Sequence, residues 1–152
     1  MSSRHSAQHG FTLVELMVVI AIIGFASAAV VLSIPDPRGR LVDDADRFAA
    51  RLAAARDNAV IEAQPVAIWV SPSAYGFERY RDGVWTQSED KPFRTTSWRS
   101  GTRAQVGGEK GRIMLRFDST GIPTQAARIV LERDGEAMPV TLDGAGRVRV
   151  GG

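Results

Sequence analysis

Three hydrophobic patterns follow one another along the chain. From Phe11 to Ile34 every residue is apolar except Thr12, Glu15, Gly24, Ser27 and Ser33. As a helix this run reaches about 36 Å, enough to cross a bilayer. Pro35-Asp36-Pro37 interrupts it, because each proline disfavours helix at the preceding position, and predicts a kink or short break. A different period then takes over. Leu41, Ala45, Phe48, Leu52, Ala55, Ala59 and Ala63 recur at spacings of three and four, while Asp43, Arg47, Arg51, Arg56 and Asp57 occupy the opposite face. That is one apolar stripe on a helix from about Leu41 to Ala63, ending before Pro65. Alanines dominate the stripe, so the helix can lie close against a sheet.

Beyond Pro65 the chain breaks into short runs. Val66–Val70 reads as a buried strand, and Tyr75–Tyr80 with Val84-Trp85-Thr86 flank Asp82-Gly83, a hairpin signal. In 112–117 Ile113, Leu115 and Phe117 alternate with Arg112, Met114 and Arg116. Strands are also predicted over 128–133, 137–142 and 147–150, with turns at Asp134-Gly135 and Asp143-Gly144. Pro139 assigns its strand to an edge or a bulge. The sum is an α+β fold: a long N-terminal helix packed on antiparallel β-sheet. Residues 88–111 lack either period and contain Gly101, Gly107, Gly108 and Gly111. They read as a long loop. Its aromatics, Phe93 and Trp98, either enter the core or contact a partner.

Composition narrows the chemistry. The 152 residues carry a net charge of +2, and removing Arg4 and Glu15 still leaves 18 basic against 16 acidic residues. That balance does not by itself point to nucleic acid or an anionic membrane surface. There is no cysteine, so packing alone holds the fold. Both histidines, His5 and His9, precede the apolar run. The rest of the chain therefore lacks the usual nucleophile–base pairs and most zinc or iron ligands. Its carboxylates are scattered through turns and a helix, with no apolar frame marking a catalytic pair. An enzyme is not expected, and neither is a cofactor.

The charge inside the apolar run is the strongest functional signal. Glu15 follows Gly10 by five positions, within Gly10-Phe11-Thr12-Leu13-Val14-Glu15. A lone carboxylate costs about 2.5–3.5 kcal/mol at the centre of a membrane helix and less near its end, and nothing charged in 11–34 offsets it. A secretory signal peptide would account for Arg4, the apolar run and Ala26-Ser27-Ala28, but gains nothing from Glu15. The stretch from Gly10 to Met17 resembles the processing site of type IV pilins and type II secretion pseudopilins. The resemblance implies cleavage between Gly10 and Phe11 by a prepilin peptidase and N-methylation of Phe11. Glu15 would then pair with the amino terminus of a neighbouring subunit and set register in a filament. It also implies three segments: a leader over 1–10, a transmembrane and filament-core helix over 11–34, and a periplasmic α+β domain over 35–152.

The remainder of the chain refines this. The helix, the Tyr75–Trp85 hairpin, the run from Phe117 to Pro123 and the C-terminal Asp143-Gly144-Ala145-Gly146-Arg147-Val148 together resemble the H-type (GspH-like) minor pseudopilin of type II secretion. The turns at 117–123 read as scaffold, since a strand end needs Gly and Pro there. Such a subunit is expected in the inner membrane, joining I-, J-, K- and G-type pseudopilins in a periplasmic pseudopilus, at its tip, and touching secreted cargo. The major pseudopilin of these systems binds calcium. This chain lacks the clustered acidic ligands calcium requires, so no metal is expected. The alternative is a minor pilin of the FimT or FimU kind that binds DNA. In that reading Arg147 and Arg149 share a strand face and reach adjacent phosphates. Two arginines alternating with Val148 and Val150 are also what a half-buried, charged edge strand shows.

Overall fold

The structure, a computed structural model, describes residues 12–32, 37–107 and 111–151. The expected break at Pro35-Asp36-Pro37 falls largely outside them, as do Gly10 and Phe11. The chain forms two compact units, Met1–Pro35 and Asp36–Gly152.

The first unit is helix α1, Leu13–Leu32. Thr12 caps it: the Thr12 hydroxyl accepts from the Glu15 amide at 3.2 Å, and the Thr12 carbonyl accepts from Leu16. Leu13, Val14, Met17, Ile20, Ile23 and Phe25 are all more than half exposed, so apolar surface wraps the whole helix. A helix apolar on every side is made for lipid or for a bundle of like helices.

The second unit begins with α2, Pro37–Ile61. It starts four residues earlier than the periodicity indicates, because proline fits the first helical turn, where no amide partner is needed. Its end is a Schellman closure. The Gln64 amide bonds to the Ala59 carbonyl at 3.1 Å and the Ala63 amide to Val60 at 3.3 Å, with Ala63 left-handed at φ 50. The chain thus leaves the helix two residues before the stripe ends.

Among the described residues, nine strands follow. β1 (Val66–Val70), β2 (Ala74–Arg81), β3 (Val84–Gln87), β4 (Thr96–Ser97) and β6 (Ile113–Phe117) build one antiparallel sheet. Its order is β3-β2-β1-β6, with β4 continuing along the β2 edge that β3 occupies. β5 (Arg103–Gln105), β7 (Ala127–Arg133), β8 (Glu136–Leu142) and β9 (Val148–Val150) form a second, in the order β5-β7-β8-β9. Two hairpins turn on the Asp-Gly pairs, where Asp82 and Asp134 as well as the glycines take positive φ.

Helix α2 packs on β1 and β6 of the first sheet and on β7, β8 and β9 of the second. The fold is α+β, with an antiparallel architecture throughout. Leu41, Ala45, Phe48, Leu52, Ala55 and Ala59 are buried against Ile68, Phe77, Leu115, Phe117, Ile129, Leu131, Val140 and Leu142 in one core. Burying each of the larger of these side chains, valine to phenylalanine, stabilises by about 1.5–3 kcal/mol. Every contributor lies at residue 41 or beyond, so the domain carries its own core.

Two expectations are corrected. Strand β8 is interior, between β7 and β9, although it contains Pro139. The Pro139 carbonyl faces β9 and accepts from Gly151 at 2.9 Å. Its missing amide faces the same way, where the β9 ladder is ending, so little hydrogen bonding is lost. The region 88–111 is also more than a loop: it contributes β4 to one sheet and β5 to the other. Phe93 and Trp98 both enter the core, as one of the two readings held. Trp98 lies 5.3 Å from Phe48 and 4.6 Å from Tyr75, and its indole donates to the Ser71 carbonyl at 3.1 Å.

Candidate functional site

The predicted site residues fall in two places. Glu15 sits at the third position of α1, exposed, with its amide held by Thr12. Thr12-x-x-Glu15 is the spacing of a capping box, and a carboxylate in the first turn is favoured by the helix dipole by about 0.3–1 kcal/mol. That helps Glu15 locally but does not match the cost of carrying the charge into a filament core or bilayer.

Arg147 and Arg149 lie at the other end of the chain. Arg149 is in β9; Arg147 falls one residue before it, in the turn. The two do converge, but on a carboxylate. Arg147 Nε lies 2.9 Å from Asp143 Oδ2 and Arg149 Nη2 lies 3.8 Å from the same oxygen. Asp143 Oδ1 accepts the amides of Ala145 at 2.9 Å and Arg147 at 3.0 Å. Bonding from Arg147 and Ala145 holds the Asp143 carboxyl below its usual pKa, so it stays ionised and offsets part of the arginine charge.

This turn has a twin. Asp118 Oδ1 accepts the amides of Thr120 at 2.8 Å and Ile122 at 3.0 Å, matching Asp143 position for position. In both loops the amide three residues on bonds back to the aspartate carbonyl, and that residue is a glycine at φ +78. The two loops pack on each other. A Cβ on Gly146 would lie 2.8 Å from the Gly121 carbonyl oxygen, and Arg56 of α2 donates to the Gly146 carbonyl at 3.2 Å. The runs 117–123 and 143–148 are therefore scaffold that joins the two sheets to α2. Sequence reasoning found each turn but not their contact.

A buried polar network was not legible in the sequence. Asp44 of α2, Thr102 and Arg133 of β7 are all nearly inaccessible. The Thr102 hydroxyl donates to Asp44 Oδ2 at 2.8 Å and accepts from Arg133 Nη1 at 3.3 Å. Arg99 Nε lies 3.4 Å from Asp44 Oδ1. These bonds pin the chain between β4 and β5 to the helix. Nearby, burial pushes the Tyr75 phenol above its usual pKa, with Arg51 opposing.

Of the three tryptophans, Trp69 and Trp98 are buried and Trp85 is half-buried. Trp69 lies on the outer face of the first sheet, across Gly76 and under the Arg112 guanidinium, 4.2 Å from its ring centroid. The Trp85 ring packs at a tilt against Tyr80, with centroids 5.2 Å apart.

Comparison with known proteins supplies the remaining information. Among curated proteins, none matches the chain in sequence. The minor pseudopilin EpsH from the type 2 secretion system of Vibrio cholerae superposes with a TM-score of 0.60 at 20% identity, covering 73% of this chain and 95% of that one. GspH of E. coli gives 0.61 at 18% identity, covering 74% and 87%. The type IV minor pilin FimU of Pseudomonas aeruginosa gives 0.57 at 18% identity, covering 76% and 90%. At these identities the likeness is one of fold. Residues 5–31 match the prokaryotic N-terminal methylation motif, and residues 44–146 match the family described as type II transport protein GspH. With both matches in hand, the chain belongs to the GspH family.

Proposed function

We propose that this protein is a minor pseudopilin, a structural subunit that assembles with other pseudopilins into a type II secretion pseudopilus. The observation that carries the reading is α1: apolar on every side, with one carboxylate in its first turn. In the reading, a prepilin peptidase cuts between Gly10 and Phe11 and methylates Phe11. The helix over 11–34 waits in the inner membrane and then enters the filament core. Glu15 pairs there with the amino terminus of an adjacent protomer, because an unpaired charge in so apolar a setting is strongly penalised. The domain over 35–152 is periplasmic. It joins I-, J-, K- and G-type subunits at the tip, supports protein export and meets secreted cargo. The role is structural rather than catalytic.

The test is the amino terminus of the membrane-extracted protein, read by mass spectrometry. N-methylated Phe11 is expected; a start at Ala29 or Met1 refutes the reading. Glu15→Gln is expected to be processed but to be lost from complexes with the other minor subunits, and normal incorporation would remove the pairing argument. The FimU-like alternative, with Arg147 and Arg149 on nucleic acid, has less support because Asp143 engages both arginines. A low-salt gel shift abolished by replacing both arginines with alanine would favour it.

A further inference from the structure

Beside the aromatic cluster, α2 and the segment around β4 enclose a cavity of about 410 Å³. Tyr75 and Trp98 form its buried wall, and Arg47, Arg51 and Arg99 surround it. Arg99 is already matched, at 3.1 Å from Asp43 Oδ2 and 3.4 Å from Asp44 Oδ1. Asp44, which also lines the cavity, is satisfied by Arg99 and Thr102. Arg47 and Arg51 differ. Among the described residues neither forms an ion pair with a carboxylate. Arg51 donates to the Thr96 hydroxyl and lies 5.6 Å from the Tyr75 ring centroid, both neutral partners. Four residues apart on α2, Arg47 and Arg51 share a face, where like charges repel. The fold holds two cations together over a half-enclosed, aromatic-walled space, and among the described residues no carboxylate pairs with either.

We propose that this cavity is a carboxylate-binding pocket that receives an acidic side chain of a partner protein. Guanidinium groups pair with planar carboxylates through parallel hydrogen bonds. Thr96 and Ser97 line the same wall, with the Thr96 hydroxyl on the Arg51 side, and the Tyr75 and Trp98 rings accept the methylenes of a glutamate. The volume is at the lower end of small-ligand sites, the size of one side chain with adjoining backbone. The nature of the partner rests on the reading of the chain as an assembly subunit; the preference for a carboxylate does not.

The test uses isotope-labelled full-length protein in detergent micelles, titrated with N-acetyl-glutamate N′-methylamide. Chemical shifts are followed at the Trp98 indole and the Ser97 amide. A saturable change in the millimolar range is expected, about tenfold weaker with the glutamine analogue and in Arg51→Gln. Because Arg51 also braces Thr96, Arg47→Gln is the cleaner variant: its side chain is exposed and is expected to lose affinity without loss of fold. Arg128→Gln, in β7 of the other sheet, is expected to bind unchanged. No saturable change, equal binding of the glutamine analogue, full affinity in Arg47→Gln, or tighter binding of inorganic phosphate overturns the proposal. None of these results bears on processing at Phe11, so failure here leaves the assembly reading standing. Conversely, an unprocessed chain that binds the probe keeps the pocket and loses its pseudopilin partner.

Discussion

Replacing Thr102 with valine tests the buried network with almost no change of shape. A methyl takes the place of the hydroxyl that donates to Asp44 Oδ2 at 2.8 Å and accepts from Arg133 Nη1 at 3.3 Å. The bond to the buried Asp44 carboxylate is worth about 1.5–3 kcal/mol, and the longer one to Arg133 about 0.5–1 kcal/mol. The additional buried methyl returns about 0.8 kcal/mol. The expected loss is about 2 kcal/mol, equivalent to a fall in Tm of roughly 8 °C for a domain of this size. Urea unfolding of the unit Asp36–Gly152, followed by circular dichroism and tryptophan fluorescence, measures it directly. That unit is suitable because every core residue lies within it. A cycle with Asp44→Asn isolates the shared bond, and a coupling of about 1 kcal/mol is expected. If Thr102→Val costs less than about 0.5 kcal/mol, or its effect adds to that of Asp44→Asn without coupling, the network does not hold the segment as described.

Three other outcomes follow from local geometry. Ala63→Gly is expected to stabilise the same unit by about 0.5–1 kcal/mol, because Ala63 occupies the left-handed closing position of α2 that glycine fills without strain; a destabilised variant in chemical denaturation would contradict the Schellman assignment. Gly146→Ala is expected to cost about 2–4 kcal/mol, combining a positive φ with a Cβ 2.8 Å from the Gly121 carbonyl oxygen, and the readout is the denaturation midpoint. Asp118 and Asp143 both have carboxyl pKa values held below the ordinary 3.8, Asp118 chiefly by the Thr120 hydroxyl and Asp143 chiefly by the Arg147 amide. Their contribution is complete above the unfolded-state value and is lost as pH falls through the lowered folded value. Stability should therefore fall on acidification below about pH 4. Asp143→Asn should flatten that limb of a stability–pH profile, and an unchanged limb would count against it.

Much of the fold was legible along the chain because the relevant physics is local. The stripe from Leu41 to Ala59, the run at 66–70, the alternation at 113–117 and the Asp-Gly hairpins all correspond to observed elements. Local signals failed where a partner distant in sequence decides the outcome. β4 and β5 are two and three residues long, too short for any period, and exist because β2 and β7 present free edges. Pro139 looked like an edge marker because sequence records the missing amide but not the direction in which it points. In the sequence Arg147 and Arg149 read as two arginines on one strand face; only the folded turn takes Arg147 out of β9 and brings both onto Asp143.

The amino-acid sequence alone determined the membrane-length helix with its single early carboxylate, the amphipathic helix after it, the antiparallel α+β character and the absence of cysteine chemistry. Each depends on residue type and spacing within a few turns or strands. The tertiary structure alone decided that two Asp-turns interlock beneath Arg56, that Thr102 bridges Asp44 to Arg133, and that Arg47 and Arg51 face a cavity without a counter-ion among the described residues. Those contacts join residues 25 to 90 positions apart, and no local pattern encodes a distance across a core.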